Sequence, residues 1–467
     1  MKKLNNIVNF KFLLGFLLLY GLVAFCYSPV FSNGFLDSWD DQWMVMNIFT
    51  ESGFRMENLI AVFTQSYKGQ YSPLVELNYM VLYGLFGYDP FWFHLMSIVW
   101  HCGCITLLFF LILRLLEMSD QSGSRQSLQM AALTAFLFAI HPVNVESIAW
   151  ISAVKVPMYV FFYLSALLLY LRYVRSQKLG CYIAALCCFV CSCLSKEQAF
   201  VLPLSLILID WFISRNLKSS DLWIEKMPFF ILSVGFALLT LDLQGPRSEA
   251  VSYTAVQRLL FGCYSLFEYF TKSLLPINLN YLYPFPILPG GSDIPVRFYV
   301  YPVLVTGLFG VLYSFRKKRL LMFGSLFFVI HLLLSLHVVA MPRLGIVADR
   351  YLYLSLSGIL LLVSYKIIGW VEKGYRVFPK LLLFSSILFY SLYFMSYTYS
   401  YSKQWEDTDT VKHYLRSFYK GEYEEKDING REDQDQEAPR LPCVVGRPRR
   451  GRGARRGPRH DGRVPHH

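Results

Sequence analysis

Residues 31–47 read FSNGFLDSWDDQWMVMN and follow the first hydrophobic segment directly. Two adjacent carboxylates, Asp40 and Asp41, stand between Trp39 and Trp43. Trp prefers the membrane–water boundary, and a carboxylate beside that boundary costs solvation free energy unless it is hydrated, paired or in use. The stretch therefore reads either as the polar centre of a membrane-embedded active site or as a solvated loop with ordinary surface acids.

Composition puts the chain in a bilayer. Of 467 residues, 55% are hydrophobic, 17% aromatic and 16% charged; mean hydropathy is +0.39. Soluble domains carry about 25% charged residues. Apolar runs near the ~20 residues needed to cross hydrocarbon lie near 9–28, 91–113, 128–141, 155–171, 180–194, 199–213, 228–242, 297–315, 320–338, 351–369 and 380–400. The expectation is an all-α polytopic membrane protein with about eleven transmembrane helices and external juxtamembrane helices. The first segment, with Lys2, Lys3 and Lys11, resembles a signal peptide but shows no small-residue cleavage site, so it reads as a retained span. Nine of ten cysteines lie in or beside apolar runs, Cys188 and Cys191 as C-x-x-C, and small packing residues account for them better than a metal or redox site.

Lys and Arg in short loops set the orientation. Lys2/Lys3/Lys11, Arg114/Arg125, Arg172/Arg175/Lys178, Arg215/Lys218/Lys226, Arg316–Arg319 and Lys373/Arg376/Lys380 recur at every second loop, which places those loops in the cytoplasm. The alternation holds only if residues 257–275, QRLLFGCYSLFEYFTKSLL, form an interfacial or re-entrant helix within an external loop, 243–296. Glu268 and Lys272, four apart, suit a helix lying at the surface. The segment 74–88, carrying Glu76 and Asn78, reads as a further juxtamembrane helix, and 55–63 as another.

On that topology the unusual polar motifs share the external side. They are Asp40/Asp41, His94, HPVNVES (141–147), Lys155, SKEQ (195–198), the Pro-rich LLPINLNYLYPFPILP and ADRY (348–351). Such segregation against the positive loops is not the scatter expected of incidental polar residues.

At these residues the chain resembles the transmembrane-and-tetratricopeptide-repeat proteins, protein O-mannosyltransferase-like members of the GT-C class of integral-membrane glycosyltransferases. The matching stretches are FSNGFLDSWDDQW, QYSPLVELNYMVLYGLFGYDPFWFHL into His101, HPVNVESIAWIS, LSKEQAFVLPLSLILID, the LLP…YPFP loop and VADRYLYLSLSG, in order over about residues 30–360. The resemblance implies a GT-C-like fold and transfer of a sugar, mannose by analogy, from a polyprenyl-phosphate donor to a protein hydroxyl outside the cytoplasm. It also implies inversion, with a first-loop acid as general base. The implied location is an integral, multi-pass one, the inner membrane if the source is bacterial. Two departures stand out. Where the family often shows an acid–Arg–Lys–Asp-like run, this chain has Ala153-Val154-Lys155-Val156, so Lys155 alone is comparable. The family also continues into helical repeats, whereas here QWEDTDTVKHYLRSFYK approaches a first repeat and stops.

Inverting transfer from a lipid phosphate needs a carboxylate to take the acceptor proton, cations or a metal to stabilise the departing phosphate, and a greasy groove for the lipid. Asp40 and Asp41 supply the carboxylate, one as base and the other orienting substrate or holding a divalent cation; adjacency does not say which. Arg350, flanked by Asp349 and Tyr351, is the first candidate for the phosphate because its planar fork donates two hydrogen bonds at once; the bland reading pairs it with Asp349 at the interface. Lys196 and Lys155 are further phosphate candidates, although Lys196 can equally pair with Glu197. His141 and Glu146 suggest a polar turn lining the substrate path, with a turn-forming role as the alternative. His94 and His101, seven apart on one helical stripe, read as buried and hydrogen-bonded rather than metal-bound. No nucleotide-binding motif is present, which suits a lipid-linked donor. A multi-pass transporter or flippase of a lipid-linked saccharide is the rival reading.

From about residue 420 the composition changes. Residues 421–437 hold eight acids against Lys426 and Arg431, and 440–467 hold nine Arg against Asp461. These blocks carry −6 and +8 and add only +2 to the net charge of +12, so nucleic-acid binding does not follow from it. The domain reading is a catalytic membrane domain over 1–401, the start of a truncated helical-repeat region over 402–420, and a disordered charged tail over 421–467, where a shift of reading frame or gene boundary accounts for the break.

Overall fold

The computed structural model describes residues 2–119, 123–244, 253–287, 291, 293–337, 345–372 and 377–427. Contacts divide the chain into two units, Met1–Phe418 and Tyr419–His467. Of the disordered tail expected over 421–467, residues 421–427 instead continue the helix Thr408–Asp427, and 428–467 lie outside the described residues.

Among the described residues the architecture is helical, save one two-stranded antiparallel pairing of Tyr283–Pro284 with Gly345–Val347. Six of the described helices are long and apolar enough to cross a membrane: Pro90–Met118, Ile151–Ser176, Ser220–Leu243, Val296–Ser314, Asp349–Glu372 and Lys380–Lys403. A seventh results if Ser124–Ile140 and Pro142–Ala149, bent by 53° at their junction, are one span. Three shorter apolar helices, Phe12–Cys26, Leu179–Ser195 and Arg319–Ser335, occupy further positions expected from the sequence. The outer faces of the helices carry large exposed apolar side chains, among them Ile231, Leu238, Val303 and Phe389, far more than a water-facing surface tolerates. The chain is an all-α integral membrane protein of the multi-pass kind.

Local chemistry explains where these helices start and stop. Asp89 caps Pro90–Met118 by accepting from the Phe91 N–H (3.1 Å), with Pro90 at the first position, where no amide proton is needed. Pro142 cannot continue the helix ending at Ile140, so the backbone bends there. Gln177 takes a left-handed conformation (φ 55°) to end Lys155–Ser176.

The core is the packing of Pro90–Met118, Ser124–Ile140, Lys155–Ser176 and Leu352–Glu372, with Leu179–Ser195 laid along Lys155–Ser176 and Arg319–Leu332 along Leu352–Glu372. The last crossing is close because glycine meets glycine. A Cβ on Gly324 would lie 2.8 Å from the Gly358 carbonyl oxygen, so neither position has room for a side chain.

At the ends of Lys155–Ser176, Leu202–Phe212 and Ser220–Gln244 sits a closed charge network. Asp210 and Lys226, both fully buried, pair at 2.7 Å. Arg215 bonds Glu225 through two nitrogens (2.8 and 3.0 Å), and Tyr170 donates to Asp210 (2.8 Å). Two cations meet two carboxylates, which is how buried charge is retained at tolerable cost.

The helix expected over 257–275 runs Ala255–Leu274, opened by Thr254, whose hydroxyl accepts from the Gln257 N–H (3.2 Å). Its polar contact differs from the expected Glu268–Lys272 pair. Lys272 is buried, donates to Tyr283 Oη (2.9 Å) and lies 3.8 Å from Asp349.

Candidate active site

The acid-bearing loop is held by contacts to segments far away in sequence. The Asn33 amide donates to the Ser402 carbonyl (3.0 Å), and the Gly34 N–H donates to the Glu406 carbonyl (2.8 Å). Asn47 closes the far end: its Oδ1 caps the Ile48–Glu51 helix, while its Nδ2 donates to the Met44 carbonyl (3.0 Å) and to Glu76 Oε2 (3.1 Å). Asp40 and Asp41 sit between these anchors, at the start of the short helix Asp41–Met44.

Adjacent in sequence, the two acids meet different surroundings. Asp41 is fully buried; its Oδ2 accepts from the Leu36 N–H (2.9 Å), and its Oδ1 accepts from the Ser152 N–H (3.0 Å) and hydroxyl. Burial pushes its carboxyl up to about 6, against the pull of these donors. Asp40 is only partly buried. Burial raises its pKa too, opposed first by the positive charges of Lys155 and then of Arg350. Asp40 is thus the accessible acid, facing two cations that the chain supplies far downstream in sequence.

Arg350 does not pair with its neighbour Asp349. Its backbone N–H donates to Glu146 Oε2 (2.6 Å) and its guanidinium pairs with Glu146 Oε1. The guanidinium carbon lies 5.5 Å from the Trp150 ring centre and 5.3 Å from that of Tyr351, both in cation–π range. Asp349, fully buried, accepts instead from Tyr283 Oη (3.0 Å to each oxygen). Lys196 pairs with Glu197 at 3.7 Å, and both charges act on Lys155. The sequence candidates Asp40, Lys155, Arg350, Glu146, Lys196 and Glu197 therefore converge on one locus.

His141 caps the turn Pro142–Asn144. Its Nδ1 accepts from the Val143 N–H and its Nε2 donates to the Ser273 carbonyl, each at 3.3 Å, with the ring against Phe394. His101 is likewise held, accepting from Tyr353 Oη (2.6 Å) and donating to the Ala139 carbonyl (3.3 Å). Among the described residues, no three His, Cys, Asp or Glu side chains are grouped so as to hold a metal ion.

Sequence reasoning passed over two participants. Glu76, partly buried, has its carboxyl raised by burial to about 7, opposed by the Asn47 amide and by Lys155. An acid inside the apolar run LVELNYM was the signal that could have found it. Ser152 carried no such signal, since a lone hydroxyl is read only through its partner. A cleft of about 350 Å³ opens behind the acid loop between Ser28, Ser32, Asn33, Tyr399, Lys403 and Glu406.

With the geometry in place, comparison with known proteins points one way. No known family profile matches the chain. It is 28% identical over 177 residues to the human protein named Protein O-mannosyl-transferase TMTC1, covering 35% of this chain and 18% of that protein. The mouse counterpart is 29% identical over 177 residues, covering 35% and 17%. Protein O-mannosyl-transferase F38B6.6 of Caenorhabditis elegans is 23% identical over 306 residues, covering 63% and 42%. The chain spans less than half the length of each of these relatives.

Proposed function

We propose that the chain is an inverting GT-C-type glycosyltransferase that moves a sugar, mannose by analogy with the named relatives, from a polyprenyl-phosphate donor to a protein hydroxyl on the non-cytoplasmic face. The observation that carries this is Asp40, a partly accessible carboxylate facing Lys155 and Arg350. An anion-binding pair of cations beside an accessible base is what phosphate departure and hydroxyl attack require together. In this reading the acceptor oxygen attacks the anomeric carbon and its proton passes to Asp40. The carbon–oxygen bond to phosphate breaks, and the polyprenyl phosphate leaves with the bonding pair, held by Arg350, Lys155 and Lys196. Asp41, its oxygens engaged by Leu36 and Ser152, anchors the loop rather than taking the proton. Glu146 fixes Arg350, and Asp349 and Tyr351 flank it.

The same reading takes the seven long helices (the bent pair counted as one), the three shorter apolar ones and Leu202–Phe212 as eleven spans in all, with Ala255–Leu274 lying in an external loop. Residues 1–401 then form the catalytic domain and 402–420 the approach to a repeat region. A divalent cation beside Asp40 and the donor phosphate is compatible with this chemistry. The test is incubation of membranes holding the full chain with labelled polyprenyl-phosphate mannose. Label transferred to protein, and lost with Asp40→Asn, supports the reading; undiminished transfer by Asp40→Asn overturns the base assignment. No labelled protein, together with donor movement across the bilayer, supports a lipid-saccharide flippase instead.

A further inference from the structure

Around the Glu146–Arg350 pair, several deeply buried polar atoms have no hydrogen-bond partner. They are Trp150 Nε1, Tyr401 Oη, Asn144 Oδ1 and Ser147 Oγ. Trp150 is 7% exposed and Tyr401 1%. Each such atom carries an uncompensated desolvation cost while unpaired, and native interiors keep few of them. Several around one ion pair mark a place built for an occupant that brings its own donors and acceptors.

The geometry narrows what that occupant is. The Trp150 indole is engaged by the Arg350 guanidinium at 5.5 Å and by Trp405, whose ring centre is 5.9 Å away at an interplanar angle of 25°. The ring is therefore fixed, and its edge N–H is the group left to offer. Tyr401 packs against Trp405 at 6.2 Å, and its hydroxyl lies within electrostatic range of Asp349 and Glu146. From Trp405 the aromatic contacts continue through Tyr281 (6.3 Å) to Trp39 (5.1 Å from Tyr281), the residue next to Asp40. An aromatic arc with unpaired N–H and O–H edges thus runs from the accessible acid to the cation. A bare lipid phosphate would use the cation alone. A ring bearing several hydroxyl groups would use the edges as well, since each hydroxyl both donates and accepts.

We propose that the Trp150 and Tyr401 edges beside Arg350 form a hexose subsite, hydrogen-bonding the hydroxyl groups of the lipid-linked sugar. The inference rests on the donor reading above and adds which residues tell a sugar-bearing lipid phosphate from a bare one. Trp150→Phe and Tyr401→Phe each delete one polar edge and keep an aromatic ring.

The experiment measures binding of polyprenyl-phosphate mannose and of unglycosylated polyprenyl phosphate to the purified full chain in detergent, with a thermal melt of each variant. The wild type should prefer the mannose-bearing lipid by about tenfold or more. Each variant should lose about three- to tenfold of that preference, as deletion of one hydrogen bond predicts, and should bind the bare lipid unchanged. Melting of Tyr401→Phe should not fall, because that hydroxyl has no protein partner to lose, whereas Trp150→Phe also gives up ring area packed on Trp405. Preference retained in both variants overturns the subsite, as does equal weakening toward both lipids. A lowered Tyr401→Phe melt with preference intact also overturns it and assigns that hydroxyl to buried water. If the wild type binds both lipids equally, the subsite fails while the phosphate site stands; if it binds neither, the donor reading itself fails.

Discussion

Replacing Ser152 by alanine removes one of three donors from the buried Asp41 carboxylate, leaving the N–H groups of Leu36 and residue 152. A hydrogen bond to a charged group contributes about 1.5–3 kcal/mol, and one between neutral groups about 0.5–1.5 kcal/mol. The loss therefore depends on whether Asp41 is ionised. Its carboxyl stands at about 6 in the folded protein against an ordinary value of 3.8. The wild type is therefore most stable with Asp41 protonated and loses stability as pH rises from the ordinary value to the folded one. Deleting a donor that favours the charged form raises the folded value further, by about one unit for each 1.4 kcal/mol. Wild-type and Ser152→Ala stability curves should then run a small, near-constant distance apart up to about pH 5. They should diverge between about pH 6 and 7 and stay about 1–1.5 kcal/mol further apart at about pH 8. Thermal or denaturant melts of the detergent-solubilised protein across that range measure this. A gap equal at the acid and alkaline ends would refute the claim that Ser152 acts on an ionising Asp41.

The remaining expectations follow from the same geometry. Asp40→Asn should lower sugar transfer by about 10²–10⁴-fold with an unchanged melt, since the residue anchors no buried partner; a lower melt with full transfer would reverse its role with that of Asp41. Glu76→Gln keeps an acceptor for the Asn47 amide and removes a carboxyl raised to about 7 from 4.5. Because that raised group lowers stability as pH climbs between those two values, the variant should gain on wild type from about pH 5 to pH 8, by up to about 3 kcal/mol; parallel melting curves would sink this. Glu146→Ala strands the Arg350 guanidinium and should cost about 3–5 kcal/mol. The Glu146→Ala/Arg350→Ala double variant should be less damaged than the two single losses summed, and strict additivity would deny the pair.

Much of the site can be read from local signals. Asp40 and Asp41 stand out because carboxylates bracketed by indoles beside an apolar run are costly, and Arg350 and Lys155 because cations at the ends of apolar runs are costly too. Partners are another matter. Asp349 adjoins Arg350, yet the fold gives Arg350 to Glu146 and Asp349 to Tyr283 and Lys272. Lys272, four residues from Glu268, turns inward to that cluster instead. Helical spacing identifies residues able to meet on one face, but burial decides which partner compensates a charge.

Apolar runs long enough for a bilayer, the helix break at Pro142 and the grouping of unusual polar motifs are determined by the sequence alone, because hydropathy and backbone stereochemistry are properties of neighbouring residues. The division of labour between Asp40 and Asp41 is decided only in three dimensions. Burial and the Ser152 and Leu36 donors close around one carboxylate, while Lys155 and Arg350 are carried to the other by distant helices. A carboxylate's reactivity depends on what surrounds it, and those surroundings come from parts of the chain that no local pattern connects.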